Sequence, residues 1–361
     1  MNHQGKSRFL SYDVIRIVAV LLVLLVHVSG YMVLYHPDTT SAEFFVGNLL
    51  NGISRAGVPL FVMLTGALLL NEDRRFDTKK FYKTSFVWMV LLLVGWLVAY
   101  GAFYAIVLQK MNHVAPSWSV FWNYLLKLPT SYPHLWYMFM VVGLYLMIPV
   151  LRLFVKRENK NYILGCVLVF VGVQLAVNTF NVLTRGWAFS FTTIVGKFHL
   201  EPATGFVGYA LAGWYLSTFP PKKRGRLILY VLAIASVALS TYMVQTTLAT
   251  NSAVRGSFYE PLTLTAFLYG AGVFVLISSL CGEKQTQSRV VATLSKCAFG
   301  AYIIHVFWME MLTRWMPYAK FTPQNPLLYM ELLFVLAVAA SYATAIIGSL
   351  IPGVKKIFYI K

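Results

Sequence analysis

The stretch YDVIRIVAVLLVLLVHVSGY, residues 12–31, decides the fold because it carries charged groups within an apolar run long enough to cross a bilayer. A helix advances about 100° and about 1.5 Å per residue, so Arg16 and His27 share one stripe and lie about 16 Å apart along the axis. Asp13 lies on the same stripe. Charges inside a bilayer cost at least about 2.5–3.5 kcal/mol each and therefore face the protein interior. The stretch predicts a cationic anchor near one membrane surface and an imidazole well inside.

A purely structural interpretation of this stretch stands beside the functional one. In it, the Asp13–Arg16 pair extends to the lipid headgroups, and His27 is a hydrogen-bonded packing residue. Both interpretations predict the same membrane-spanning helix. They differ in whether the imidazole faces a site or only its neighbours.

The composition excludes a soluble protein. Hydrophobic residues make up 58% of the 361 residues and charged residues only 12%, which is far outside the soluble range. The formal net charge is +18, but the basic residues stand between apolar runs, so we expect membrane lipids rather than nucleic acid as partners. The three cysteines lack the paired spacing of a zinc site or a disulfide framework, and no metal site is expected.

Runs of about 20 apolar residues predict an all-α, polytopic membrane protein with about ten spans in one domain, residues 1–361. The spans lie near 12–34, 44–70, 85–108, 135–155, 161–180, 202–219, 227–248, 260–281, 293–315 and 327–351. With a cytoplasmic N-terminus, the loops on that side carry 21 Lys and Arg residues and the opposite loops carry seven. This asymmetry predicts that both termini are cytoplasmic and that the first span is retained as a membrane helix.

The second span carries another polar stripe. Asn48, Asn51 and Arg55 are spaced to share one helix face. Pro59 has no N–H to offer the carbonyl of Arg55, which favours a kink there and a cavity wall at mid-membrane. Helix packing through the two amides is the alternative. The depths of His27 and Arg55 predict that the two side chains approach each other.

Polar groups in the fourth and ninth spans complete the candidate set. His134 and Trp136 open the fourth span at the outer surface, where the imidazole either meets an incoming hydroxyl or is simply solvated. Tyr302 and His305 share a face of the ninth span near mid-membrane. The aromatic segments 109–134 and 181–200 either form an interfacial belt or grip an amphipathic acceptor. In the ninth span we expect Glu310 and Arg314 to form a structural ion pair.

Taken together, the motifs resemble acyltransferase family 3, close to its surface-polysaccharide O-acetyltransferase branch. The matching pieces are Arg16 with ten residues to His27, RAGVPLFVMLTGALLL from Arg55, HLWYMFMVVGLYLMIP from His134, and SKCAFGAYIIHVF from Ser295. The chain departs from the family pattern with Thr65-Gly66 in place of Ser-Gly, and with lysines 79, 80 and 83 where arginines are common. We also expect no fused extracytoplasmic domain, which many relatives carry.

The resemblance implies acyl transfer across the plasma or inner membrane, with acetyl-CoA or another acyl-CoA as co-substrate and no tightly bound cofactor. The acceptor would be a hydroxyl of an extracytoplasmic or lipid-linked glycan. His27 would act as general base or transient acyl carrier. The donor would be bound by Arg16, Asp13 and Arg55, and the transition state or acceptor by Tyr302, His305, His134 and Trp136.

Two other functions remain open at this point. A secondary transporter of a small polar or anionic solute also has polar, kinked spans, although no matching pair of broken helices and no internal repeat appears. A non-catalytic scaffold of the cell envelope is the third interpretation, and it leaves the intramembrane Arg16 and His27 unexplained. Homo-oligomerisation is compatible with all three.

Overall fold

The computed structural model describes residues 8–36, 38–126, 134–183, 205–248, 257–317 and 325–358. It is 83% helical, and the described residues contain no strand apart from an isolated bridge between Phe9 and Gln285. Eight helices in this part of the chain are long and apolar enough to cross a membrane. The predicted all-α polytopic fold is therefore confirmed, whereas the count of ten spans and the orientation of the termini stay predictions.

The helices in chain order are α1 (Leu10–Tyr35), α2 (Ala42–Ser54), α3 (Gly57–Leu69), α4 (Thr78–Met111), α5 (Trp118–Leu126), α6 (Trp136–Phe154), α7 (Lys160–Leu183), α8 (Phe206–Thr218), α9 (Lys223–Leu248), α10 (Leu264–Cys281), α11 (Arg289–Trp315), α12 (Pro326–Leu350) and α13 (Lys355–Phe358). The consecutive α2 and α3 make up one of the eight candidate spans. The predicted spans near 161–180 and 202–219 fall on α7 and α8, which are not among the eight.

Polar caps fix the starts of several helices. The side chains of Ser41, Thr263 and Ser288 each accept a hydrogen bond from a backbone N–H in the first turn of α2, α10 and α11. Asn325 does the same for α12, and Pro326 follows at the first helical position. Each cap satisfies a backbone donor that has no partner inside the helix.

The chain divides into two compact units. The larger comprises Met1–Asn71 and Val155–Lys361, and the smaller comprises Glu72–Phe154. In the larger unit, α1 packs against α2, α3, α10, α11 and α12. Since α1 contains the stretch at residues 12–31, its polar stripe faces other helices of the same unit.

The second candidate span is broken where Pro59 predicts it. Helix α2 ends at Ser54, and α3 begins at Gly57. The backbone N–H of Arg55 bonds to the carbonyl of Gly52 at 3.2 Å in a tightened last turn. Because Pro59 removes the donor that would bond to the carbonyl of Arg55, the helix is interrupted beside this arginine.

Helices α3 and α8 cross at backbone distance through two glycines. A Cβ added at Gly66 would lie 1.9 Å from the carbonyl oxygen of Ala210, and one at Gly213 would lie 2.0 Å from the carbonyl oxygen of Met63. No side chain fits in either position unless the backbones separate. The crossing therefore holds α3, which follows Arg55 directly, close to α8.

The segment before α1 is tied to the loop between α10 and α11. The N–H of Leu10 donates to the carbonyl of Lys284 at 2.8 Å, and the N–H of Thr286 donates to the carbonyl of Arg8 at 2.8 Å. This pairing brings two polar side chains, Arg8 and Thr286, to the first turn of α1.

The smaller unit contains α4, α5 and α6. Two stretches of α4 are π-helical, Tyr82–Phe86 and Phe103–Leu108. Helix α5 packs Phe121 next to Gly101 of α4 and leaves Trp118 76% exposed. Of the predicted aromatic segments, 109–126 and 134 are described and include α5, whereas 184–200 lies outside the described residues.

Candidate active site

The first turn of α1 forms a cluster around the carboxylate of Asp13. Arg8 donates to both carboxylate oxygens, with its Nε 3.1 Å from Oδ2. The hydroxyls of Ser295 and Thr286 also donate to the carboxylate, each at 2.6 Å. The Asp13 side chain is only 3% exposed. A buried carboxylate is tolerated here because cations and hydroxyls satisfy both of its oxygens.

Arg16 belongs to the same cluster. Its Nη1 donates to Ser295 Oγ at 2.7 Å and lies 3.3 Å from Asp13 Oδ1. The side chains of Arg8 and Arg16 remain 30% and 26% exposed. Asp13 thus holds two guanidinium groups next to each other at an accessible end of α1, and paired guanidinium groups are typical anion-binding groups.

The structure adds three residues to the predicted Asp13–Arg16 pair. From the sequence, Arg8 is only one of the charges that indicate topology, and neither Thr286 nor Ser295 has a predicted role of its own. One signal was present in the sequence, because Ser295 opens the quoted SKCAFGAYIIHVF motif. The other two meet Asp13 only through the backbone pairing before α1.

Deeper along α1, the ring of His27 meets that of His305. The ring centroids are 4.9 Å apart, and the planes are inclined by 44°. His305 is fully buried, and its Nδ1 hydrogen-bonds to the carbonyl of Tyr302. The contact of α1 with α11 therefore joins two predicted site residues that are 278 positions apart in the sequence.

Tyr302 extends this group of rings. Its centroid lies 5.8 Å from that of His305 and 6.3 Å from that of Phe61, which meets it edge-on. The tyrosine is 3% exposed. The predicted face of the ninth span is thus directed into the larger unit, with Tyr302 and His305 side by side.

Arg55, at the break between α2 and α3, is held by neutral groups. Its Nε and Nη2 both donate to Asn51 Oδ1, and its Nη1 donates to the carbonyl of Tyr259 at 2.8 Å. The guanidinium carbon lies 4.5 Å from the centroid of the Tyr259 ring. No carboxylate of the described chain forms an ion pair with it. The Asn51 amide that binds Arg55 also bonds to α1 beside His27, the residue that Arg55 is predicted to approach.

Both amides of the α2 stripe also connect helices. Asn51 Nδ2 donates to the carbonyl of Val26 at 3.0 Å and to Ser29 Oγ at 2.9 Å, both on α1. Asn48 Nδ2 donates to the carbonyl of Thr241 on α9 at 3.0 Å. Helix packing through the amides is therefore confirmed, and it coexists with the polar surroundings of Arg55.

Tyr259 links Arg55 to the second amide. Its hydroxyl donates to both oxygens of Asn48, with 3.0 Å to the backbone carbonyl. Tyr259 lies outside the membrane-spanning helices, and burial raises the pKa of its phenol well above the usual value. The phenol is therefore neutral and donates a hydrogen bond to Asn48.

A small polar cavity adjoins Arg55. It has room for about one water molecule. The polar groups that line it come from the α2 end, α9, the segment before α10 and α10 itself: Arg55, Ser236, Ser240, Tyr259, Thr265 and Tyr269. Arg55 therefore lines a small polar space, and the cavity wall at mid-membrane stays a prediction.

The remaining predicted residues belong to the smaller unit. His134 is 2% exposed, and its ring meets that of Tyr100 edge-on at 4.7 Å between centroids. The solvated alternative for this histidine is therefore wrong, because the imidazole packs against an aromatic ring inside the protein. Trp136 begins α6 and packs edge-on against Tyr137, with 6.3 Å between centroids.

The expected structural ion pair of the ninth span is present. Arg314 donates to the carboxylate and to the backbone carbonyl of Glu310, one helical turn earlier on α11. Both side chains are 29% exposed. The pair is local to one helix and is separate from the two clusters on α1.

Comparison with known proteins identifies the family. A family model described as an acyltransferase domain matches residues 9–346, which is nearly the whole chain and includes Asp13, Arg16, His27 and His305. Searches of curated proteins and of solved structures gave no match. The matched range and the eight apolar helices together show what kind of protein this is. The chain belongs to acyltransferase family 3 and is a multi-pass membrane acyltransferase.

Proposed function

We propose that this protein transfers an acetyl group from acetyl-CoA to a hydroxyl of an extracytoplasmic or lipid-linked glycan at the plasma or inner membrane. The observation that carries this proposal is the arrangement on α1. A pair of arginines stands at one end, and the His27–His305 pair lies about 16 Å further along the helix axis. This separation suits a thioester donor whose phosphates and reactive carbonyl are far apart. Family membership favours this function over the transporter and the scaffold.

The donor phosphates would bind at the arginine cluster. Arg8 and Arg16 are partly exposed, and each guanidinium carries five N–H donors. Guanidinium groups bind phosphate oxygens in pairs, with charge-assisted hydrogen bonds. In the predicted orientation this end of α1 faces the cytoplasm, where acyl-CoA is available. Asp13 would act indirectly by keeping the two cations together.

The acyl group would move at His27. As general base, the imidazole takes the proton of the acceptor hydroxyl while the oxygen attacks the thioester carbon. The C–O bond forms, the C–S bond breaks, and the proton passes to the leaving thiolate. Alternatively, the imidazole attacks first and carries the acyl group until the hydroxyl arrives. Both routes give the same products, an O-acyl ester and free CoA.

Arg55 would stabilise the negative charge that develops on the thioester oxygen. Its guanidinium is held by Asn51 and Tyr259, and no ion pair with a described carboxylate neutralises it. A fixed cation in a site that excludes water stabilises such an oxyanion more strongly than water does. Tyr302 and His305 would contact the transition state or the acceptor from α11.

The acceptor would be recognised by aromatic and hydroxyl-binding groups. His134 and Trp136 of the smaller unit are the proposed contacts with the glycan, since a sugar presents both apolar faces and hydroxyls. The exposed aromatic residues of α5 suit a lipid-linked acceptor at the membrane surface.

The decisive experiment measures acetyl-CoA binding and turnover by detergent-purified protein. We expect acetyl-CoA to raise the thermal midpoint of the wild type and of His27→Ala, but not that of Arg16→Ala. Release of free CoA thiol should be slow in the wild type without acceptor and absent in His27→Ala. Folded wild-type protein that neither binds nor consumes acetyl-CoA or longer acyl-CoAs would contradict the proposed function.

A further inference from the structure

We infer that Asn51 is a positioning residue for the reaction, because its carboxamide fixes the guanidinium of Arg55 relative to the backbone that carries His27. The inference rests on the proposed function for the roles of these two side chains. It concerns a residue that touches neither reacting group of the transfer itself. Asn51 would act only through the geometry that it imposes.

The NH₂ group of the Asn51 carboxamide binds α1. Asn51 Nδ2 donates to the carbonyl of Val26 and to Ser29 Oγ, at 3.0 and 2.9 Å. Ser29 already uses its own proton on the carbonyl of Leu25, at 2.7 Å, so its oxygen must accept from Asn51. These partners fix which end of the amide faces α1. They lie one residue before and two residues after His27.

The carbonyl oxygen of the Asn51 carboxamide binds Arg55. Oδ1 of Asn51 receives hydrogen bonds from both Nε and Nη2 of the guanidinium. The amide therefore uses two donors and two acceptor positions, which is its full capacity. Aspartate at this position would lack the two donors toward α1, and alanine would lack all four bonds. The site requires an amide in particular.

The opposite side of Arg55 is held independently. Tyr259 accepts from Nη1 and stacks on the guanidinium, and Asn48 accepts from the Tyr259 hydroxyl. Asn48 in turn bonds to α9. Loss of Asn51 therefore leaves Arg55 in the protein but releases it from α1. The expected defect is a misplaced cation beside His27.

The kinetic test compares Asn51→Ala with a matched control. Thr344→Val removes another hydrogen bond between helices of the larger unit, from Trp308 Nε1 at 2.9 Å, far along the chain from α2. We expect Asn51→Ala to lower kcat for CoA release about 10–100-fold, since a misplacement of about 1 Å costs on the order of 100-fold. The KM for acetyl-CoA should change less than about threefold, because the donor phosphates bind at the Asp13 cluster. Thr344→Val should keep kcat within about twofold.

A double-mutant cycle separates positioning from a general loss of structure. In an Arg55→Lys background the bidentate bond to Asn51 is already lost, so Asn51→Ala should lower kcat much less than it does in the wild type. Equal fold losses in the two backgrounds would overturn the inference. Ser29→Ala, which removes only one partner of Asn51, provides a milder variant if Asn51→Ala does not fold. It should lower kcat severalfold in the same direction.

A spectroscopic arm tests positioning without any turnover. In protein labelled with ¹⁵N-histidine, the His27 signals can be assigned by their absence in His27→Gln. We expect Asn51→Ala or Ser29→Ala to shift these signals and Thr344→Val to leave them unchanged. If the wild type has no acyl-transfer activity, the proposed function fails but this arm still decides the positioning. His27 signals that do not respond to the Asn51 and Ser29 variants would refute it.

Discussion

Two polar clusters of the larger unit differ in how their cations are neutralised. The first consists of Asp13, Arg8 and Arg16, and the second consists of His27, His305 and Arg55. At the helix start, Asp13 forms ion pairs with Arg8 and Arg16. Deeper in the same unit, Arg55 is held by an amide, a carbonyl and a phenol ring, and His27 meets a second imidazole. The first cluster sets one carboxylate against two guanidinium groups, so a carboxylate offsets part of its positive charge before any ligand arrives. The second holds a cation whose bonded partners, within the described part of the chain, are all neutral.

This difference in charge neutralisation indicates which role each cluster is suited to. A partly exposed cluster with two cations and one carboxylate can exchange part of its bonding for a phosphate at small cost, which is typical of a binding site. A buried cation without an ionic partner is costly in the resting protein and becomes favourable when negative charge develops beside it. This contrast supports the proposed roles, in which the first cluster anchors the substrate and the second carries out catalysis.

The largest expected effect comes from His27. We expect His27→Ala to lower the transfer rate about 10²- to 10⁴-fold, because the group that accepts or relays the proton is removed. The dissociation constant for acetyl-CoA should change less than about twofold. Single-turnover CoA release and thermal-shift titration measure the two quantities. A rate within tenfold of the wild type would show that catalysis lies elsewhere.

The second-largest effect is expected at Arg55, where two substitutions distinguish the role of its charge from that of its guanidinium shape. Arg55→Gln should lower kcat about 10²- to 10³-fold, since the cation facing the oxyanion is lost. Arg55→Lys should retain more activity than Arg55→Gln, but it should stay well below the wild type because a lysine lacks the fork that bonds to Asn51. Steady-state kinetics measure kcat and KM, with thermal midpoints as the control for folding. Equal activity of the two variants would contradict the role of the charge.

Substitutions in the arginine cluster should act on binding instead. Arg16→Ala should weaken acetyl-CoA binding about 10- to 100-fold, which corresponds to the loss of one or two charge-assisted hydrogen bonds. Its kcat at saturating donor should fall less than fivefold or so, unlike that of the Arg55 variants. Titration at two salt concentrations checks the ionic part, because the weakening should shrink as salt rises. A fall in kcat with unchanged affinity for acetyl-CoA would contradict the separate roles proposed for the two clusters.

Asp13 should affect stability more than chemistry. Asp13→Asn removes the charge that joins two guanidinium groups, and we expect the free energy of unfolding to fall by roughly 1–2 kcal/mol, given that both arginines are partly exposed. Denaturation of the purified protein, followed by helical circular dichroism, measures this change. Turnover at saturating acetyl-CoA should stay within about threefold of the wild type. A total loss of turnover in stable protein would give Asp13 a direct role.

The smallest effect is expected at the ion pair on α11. Glu310→Gln should lower the free energy of unfolding by at most about 0.5 kcal/mol, because the pair with Arg314 is local to one helix and partly exposed. Binding and turnover should match the wild type in the same assays. Activity loss in this variant would mean that intramembrane charges matter here regardless of their partners.

The sequence was sufficient for features that follow from one helix. The spacing of Arg16 and His27 placed both on one stripe of α1, and Pro59 located the break beside Arg55. These predictions use only the helical period and the missing N–H of proline. The predicted approach of Arg55 to His27 came from comparing the depths of the two residues in neighbouring spans.

Contacts that depend on loops or on packing between distant helices could not be predicted in this way. Thr286 reaches Asp13 across 273 positions, through a backbone pairing that has no periodic signal. The partners of Arg55 include a backbone carbonyl, that of Tyr259, which any residue type supplies. The ring contact of His27 with His305 required the packing angle of α1 on α11.

The broken span has a consequence for how the protein is made. The partner of Asn48 on α9 is synthesised 193 residues later, and that of Arg55 is synthesised 204 residues later. Until then, the α2–α3 segment enters the membrane with an amide and a guanidinium that lack those partners. A nascent chain that stops before α9 would therefore present lipid with unsatisfied polar groups and be open to membrane proteases. The polar groups of the α2–α3 segment therefore obtain these partners only after α9 and the segment through Tyr259 have been synthesised.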